Sequence, residues 1–209
     1  MNSVILSTSY LPPIQYISKL FLYNNIIIEN DENYNKQTYR NRCEIYGANG
    51  RQTLSIPVKL KQRPKCKIKD VKIDYSMNWQ KNHWKSIESA YKNSPFFEFY
   101  CDDFLPFYKL KYNYLIDYNY KLLNTIICNL EINNTIRFSD KYRKDINDSY
   151  DYRYTIQPKL TLKDNSFNEV KYTQVFDTKH GFMPNLSIID LIFNEGPNSI
   201  SILNRCTKK

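Results

Sequence analysis

The chain has 209 residues, 42% of them apolar, which suits one domain with a real core. Only four glycines occur, and neither a G-x-x-x-x-G-K-S/T loop nor a G-x-G-x-x-G loop is present, so the glycine-rich phosphate cradles are excluded. Thirty Lys+Arg against 21 Asp+Glu give a net charge of +9, but the basic residues are spread along the whole chain, which predicts a diffusely basic surface and no nucleic-acid face.

Ser3–Ser7 (SVILS) reads as a short buried strand. Pro12 and Pro13 then stand where a helix begins, because proline is tolerated in the first turn. Ile14, Ile17, Leu20, Phe21 and Leu22 continue at helical spacing, and Asn25–Asn30, with three successive isoleucines, reads as a second buried strand. Strand, helix and strand at this spacing predict a βαβ unit with a parallel pair. Two β-patterned runs flank Ala48-Asn49-Gly50, a hairpin signal. Ile68–Asp74 alternates with period two and predicts another strand.

Trp79–Tyr91 switches to the helical period. Phe97–Lys109 predicts a helix broken near Pro106, and Tyr114–Leu130 an amphipathic helix. Thr135–Tyr142 is compatible with a strand. Arg143–Asn168 is polar, aromatic and weakly patterned, the most loop-like stretch. A helix begins near Ser187 and stops around Gly196-Pro197, followed by an extended or helical tail. The predicted class is α/β: an N-terminal βαβ unit and hairpin forming a mixed sheet, with a helix-rich second half. Without repeats or low-complexity linkers, residues 1–209 read as one domain.

The five cysteines, Cys43, Cys66, Cys101, Cys128 and Cys206, are odd in number, widely spaced and free of C-x-x-C. Reduced thiols are expected, with no disulfide framework and no zinc site. Met1–Leu11 lacks a basic region followed by an apolar core, and no apolar run approaches the roughly 18 residues of a membrane span. A cytoplasmic protein is expected.

Four polar–aromatic stretches could carry chemistry. In the first, Thr8, Tyr10 and Gln15 sit at a predicted strand end and helix start, where α/β sheets bind ligands and helix N-termini attract anions. The competing reading is a turn shaped by Tyr10 and the prolines. In the second, Asn33, Lys36, Gln37, Arg40, Asn41 and Arg42 crowd one turn-like stretch. Two arginine forks flanking an asparagine make an anion or sugar-phosphate clamp, against the plainer reading of solvated charge.

In the third, His83 shares a helix face with Trp79, Ile87 and Tyr91; it is either a proton carrier or a satisfied core histidine. In the fourth, His180 precedes Gly181 in a turn, Lys179 adjoins it, and Asn185 or Ser187 is placed to cap the following helix. Cys43, flanked by Arg40 and Arg42, is the cysteine best placed for a thiolate, although a buried strand cysteine is the simpler reading.

Together, the stretches YLPPIQYISKL, ENYNKQTYRNRCEI, KDVKIDY with WQKNHWKSIESAYKNSPFFEFY, and KHGF with PNLSIIDLIFN resemble the WbqC-like protein family, in particular its Bacteroidetes-type branch. The resemblance leaves out about residues 124–170. Where many relatives carry a His-Gln-Pro-like stretch, this chain has Ser7-Thr8-Ser9, so no N-terminal histidine is available. The family positions are Tyr10, Pro12, Asn33, Gln37, Arg40, Asn41, Arg42, His83, Tyr91, His180, Asn185 and Asp190.

The resemblance implies a role in bacterial O-antigen or related surface-polysaccharide synthesis. The expected activity is group transfer on an activated sugar or similar anionic small molecule. His83 and His180 are the candidate proton carriers, and Tyr10, Asn33, Gln37, Arg40, Asn41, Arg42 and Asn185 the candidate substrate contacts. No metal-ligand motif is present and no cofactor is specified. The alternative is a non-catalytic binding or assembly protein of envelope biogenesis.

Overall fold

A computed structural model describes residues 3–60, 65–159 and 162–208. Its centre is the βαβ unit: β1 (Ser3–Ser7), α1 (Ile14–Leu22) and β2 (Asn25–Glu29). β1 and β2 run parallel, from Ser3 opposite Asn25 to Ser7 opposite Glu29. Val4, Ile5, Leu6, Ile26, Ile27 and Ile28 are all buried, which is why both strands read as unbroken apolar runs. The next elements are β3 (Arg42–Gly47) and β4 (Gly50–Ser55), a hairpin turning at Gly50 with φ +100°. The expected strand at Ile68–Asp74 is instead a 3-10 turn over Ile68–Asp70 and a two-residue strand. Its buried residues, Ile68, Val71 and Ile73, are spaced three and then two apart, so the early part coils before the chain extends. β5 (Val58–Lys59) pairs antiparallel with that strand, β6 (Lys72–Ile73).

The helix-rich half follows. α2 (Trp79–Tyr91) leads into α3 (Phe97–Phe104), then a 3-10 turn over Pro106, then α4 (Leu115–Asn129). α4 buries Leu115, Tyr118, Leu122, Leu123 and Ile126, one face of a 3.6-residue period. β7 (Thr135–Phe138) and β8 (Tyr150–Asp151) return to the sheet, pairing parallel with β2 and β1 respectively. α5 (Asp177–His180), α6 (Ile188–Glu195) and α7 (Ser199–Cys206) complete the chain, so the tail is helical. No helix among the described residues is long and apolar enough to cross a membrane.

The main sheet has the order β7-β2-β1-β8, and every pairing in it is parallel. The hairpin does not join it. Both edges of the β1–β2 pair are taken by strands from late in the chain, so β3 and β4 form a separate two-stranded ladder. The expected mixed sheet is thus a parallel sheet plus small antiparallel pairs. Among its described residues Arg143–Asn168 is irregular apart from β8, as its composition suggested, yet it is not merely surface: Ser149, Arg153 and Ile156 are buried.

Phe193 of α6 centres an aromatic cluster, with the rings of Tyr91, Phe97 and Phe104 at 5.1–5.7 Å. Next to it, Gly196 has φ +52°, and a Cβ there would stand 2.5 Å from the Phe96 ring. Gly196→Ala is expected to destabilise the fold by about 1–3 kcal/mol through overpacking, read as a lower urea midpoint.

Candidate functional site

Because the sheet is parallel, the carboxyl ends of its strands lie on one edge. They bring together Ser7, Glu29, Asp151 and, just past β7, Ser139. Two arginines close over them. Arg40 Nε and Nη2 donate to the Glu32 carboxylate at 2.8 and 2.5 Å, and Nη2 also donates to Ser7 Oγ at 2.7 Å. Arg153 Nη1 donates to Glu29 Oε2 at 2.9 Å, and its Nε and Nη2 donate to Asp151 at 3.0 and 2.8 Å. The other oxygen of Glu29 accepts from Ser139 Oγ and the Asp31 amide. The Arg153 guanidinium lies 4.8 Å from the Tyr142 ring centre and 5.8 Å from that of Tyr154.

Glu29, Glu32, Arg40 and Arg153 are all buried. Ion pairs this deep add little net stability over apolar packing, since desolvation offsets the attraction. Their concentration at the edge where open α/β sheets bind ligands therefore points to function.

Two cavities share Tyr152 as a wall. On the Arg40 side a cavity of about 10 Å3, lined by Ser7, Thr8, Ser9, Tyr16, Tyr39 and Arg40, has room for one water at most. On the α1 side a cavity of about 480 Å3 opens beside Tyr150, Tyr152, Asp164 and Ser166 and runs past Leu22 and Tyr23, where α1 ends and β2 begins, towards the amino end of the strands. Lys19 of α1 is fully buried beside these groups. Its Nζ donates to Asp164 Oδ2 at 2.6 Å and to Ser166 Oγ at 2.8 Å, and lies 4.7 Å from the Tyr152 ring centre. Burial pulls the Lys19 pKa down against the pull of Asp164. Burial pushes Asp164 up, but hydrogen bonds from Lys19, Gln15 and Ser166 outweigh it and leave the carboxyl below its usual range.

Among the expected contacts, only Arg40 enters the sheet edge. Asn41 Nδ2 donates to the Ile56 carbonyl, fixing the hairpin's return. Arg42 opens β3, half-buried, with no hydrogen-bond partner at Nε among the described residues. Asn33 and Gln37 are exposed, Asn33 bridging to the Lys67 backbone and Gln37 holding φ +59°. Asn185 accepts from the Gln15 amide at 2.9 Å and donates to Gln15 Oε1, so it ties down the start of α1. Neither it nor Ser187 caps α6 with its side chain, since Ser187 Oγ donates to the Leu11 carbonyl.

Tyr10 is fully buried, its hydroxyl bonded to His83 Nδ1 at 3.0 Å and to the Tyr108 hydroxyl at 2.9 Å. His83 packs edge-on to Trp79 and bonds the Ser55 backbone. Burial lowers its pKa to about 4. His180 is exposed, with its Nε2 and the Lys179 ammonium both on the Ala48 carbonyl at the hairpin turn. The two histidines thus bracket the hairpin, five strand residues apart or roughly 17 Å, and neither lines the cavities on either side of Tyr152. His83 meets the ladder at Ser55, opposite Arg42, whereas His180 sits at the far turn, and neither is bonded to the Arg40 or Arg42 side chain among the described residues. Cys43 is no thiolate: it is buried, burial pushes its thiol pKa up, and Arg40 turns away to Glu32. No disulfide links the five cysteines among the described residues.

A profile of the WbqC-like protein family matches residues 8–160 and 158–202. The chain belongs to this family. The WbqC-like match runs through residues 124–160, where the sequence motifs were silent, and so takes in Glu29, Glu32, Arg40, Asp151 and Arg153 together. The chain is also 27% identical, across 97% of each sequence, to the uncharacterized protein Rv1507c of Mycobacterium tuberculosis. No solved structure gives a significant match.

Sequence reasoning missed Lys19, Glu29, Glu32, Asp151, Arg153 and Asp164. Lys19 carried a signal: it is the one charge in an otherwise apolar and polar-neutral helix that buries nearly every residue. Arg153, in a run of tyrosines and aspartates, carried none. Among the described residues, no three His, Cys, Asp or Glu side chains gather as a metal-ligating group.

Proposed function

We propose that this WbqC-like protein is a cytoplasmic, single-domain enzyme of bacterial surface-polysaccharide synthesis, of the O-antigen type, that transfers a group to or from an activated sugar. The observation that carries this is the ligand-sized cavity at Tyr152, flanked in sequence by Asp151 and Arg153 of the charge cluster at the carboxyl edge and lined by the Lys19-bound Asp164. Tyr23, Tyr150 and Tyr152 offer ring faces for a sugar or base, and Lys163 and Lys208 on the rim offer cations for phosphate. A hydroxyl brought to Ser166 meets the Asp164 carboxylate and the Lys19 ammonium, a fixed ion pair that can orient it and balance charge developing on it. Arg40 and Arg153 act here by holding the strand ends in place, because their donors already serve Glu32, Glu29 and Asp151. That saturation favours the second reading, a binding protein without turnover.

The test is thermal unfolding with nucleotide sugars and sugar phosphates. A ligand at 100 times its Kd adds about 2.7 kcal/mol of stability. Tyr150→Ala and Lys163→Ala, both at exposed positions, should abolish the shift without unfolding the protein. Stabilisation indifferent to both substitutions, or none by any member of the panel, refutes the site. Ligand binding without turnover leaves the binding protein.

A further inference from the structure

A further cavity, about 840 Å3, lies between the β5–β6 ladder and the turn at Lys65–Asp70. Lys59, Lys65, Lys67 and Lys72 line it, together with Asp70, Tyr114 and Leu60. Lys59 and Lys72 are directly opposite in the antiparallel ladder, so both side chains leave the same face. Like charges at such a pair repel; Asp74 pairs with Lys59 at 3.7 Å, whereas Lys72 has no carboxylate partner among the described residues and sits 5.8 Å from the Tyr114 ring centre. Lys67, by contrast, is held by Asp31, at 2.9 Å, and so is the neighbouring Lys69, at 2.7 Å. Two opposed cations over an aromatic and aliphatic wall form a site for a polyanion attached to an apolar group.

We propose that this cavity binds a diphosphate ester, its phosphates between Lys59, Lys72 and Lys65 and its apolar or aromatic part against Tyr114 and Leu60. A nucleoside diphosphate and a prenyl diphosphate share that chemistry. The site uses none of the residues at Tyr152 and stands or falls independently of the sugar site.

The experiment is calorimetric titration of the full chain with inorganic pyrophosphate, uridine diphosphate and farnesyl diphosphate. At least one ester should bind more tightly than pyrophosphate, and Tyr114→Leu should weaken that ester alone. Lys59→Gln and Lys72→Gln should each weaken all binding about tenfold, the effect of one charge-assisted contact. Tyr150→Ala, at the other cavity, should leave this binding unchanged. Both lysines are exposed, so each substitution should leave the Tm of the unliganded protein nearly unchanged, which also shows that it folds. Preference for uridine diphosphate assigns a nucleotide site, and preference for farnesyl diphosphate a lipid-carrier site. Equal binding to the wild type and the Lys59→Gln/Lys72→Gln protein overturns the proposal, as does binding of pyrophosphate alone.

Discussion

Arg153→Met is expected to cost about 3–5 kcal/mol in a urea titration, the penalty for leaving a buried charge without its partner. Glu29, fully buried, would keep its bonds from Ser139 and the Asp31 amide but lose the cation at Oε2. Asp151 would lose both contacts from the guanidinium. The double variant Glu29→Gln/Arg153→Met should recover much of the loss, because removing both charges is far less costly than stranding one. Arg143→Ala is the internal control. Its pair with Asp148 is exposed, so its loss should cost no more than about 1 kcal/mol. An Arg153→Met protein as stable as Arg143→Ala would mean that the sheet edge is not held by buried charge.

The second large effect is a pH dependence located at one residue. The His83 pKa is lowered to about 4 by burial, so the folded protein holds the ring neutral. An unfolded histidine titrates near 6.5. A group depressed on folding stabilises fully above its unfolded pKa, and that stability is lost as pH falls through the folded value. Wild-type protein should therefore lose about 3 kcal/mol between pH 6.5 and pH 4 on account of His83. His83→Gln keeps a side-chain acceptor for the Tyr10 hydroxyl and removes the titration. Carboxylates add their own slope below pH 5, so the measured quantity is the difference between the two unfolding curves. Parallel curves from pH 7 to pH 4 would show that His83 titrates alike in both states. A neutral, enclosed His83 also explains why alanine substitution there should read out as stability before activity.

The first third of the fold was legible because its signals are local. Three isoleucines in a row, a proline pair at a helix start and Asn49-Gly50 at a turn each fix geometry within a few residues. β7 and β8 carry no such signal: β8 is two residues long, and its pairing depends on the exposed edge of β1. The candidate site was illegible for the same reason. Arg40 stood out because its neighbourhood is dense in polar groups, but Arg153 reaches Glu29 across 124 residues, a relation no window of sequence contains. Rarity drew attention to His83 and His180, although scarcity of a residue says nothing of where the fold places it. One histidine is sealed among aromatics and the other braces a hairpin turn.

The strand order has a consequence for synthesis on the ribosome. β1 and β2 can pair as soon as residue 29 emerges, but their outer edges wait for residues 135–138 and 150–151. At about 5–20 residues per second, the 121 residues from Asn30 to Tyr150 take roughly 6–24 s. Until β7 arrives a ribbon of buried-type isoleucine strand is open on both sides, and until β8 arrives it is open on one, a template for pairing with other nascent chains. Arg153 and Glu29 then act as a latch that closes only when the last strand arrives. Slowing translation before Arg153, or stopping the chain there, should divert the protein to aggregates and leave no stable shorter domain.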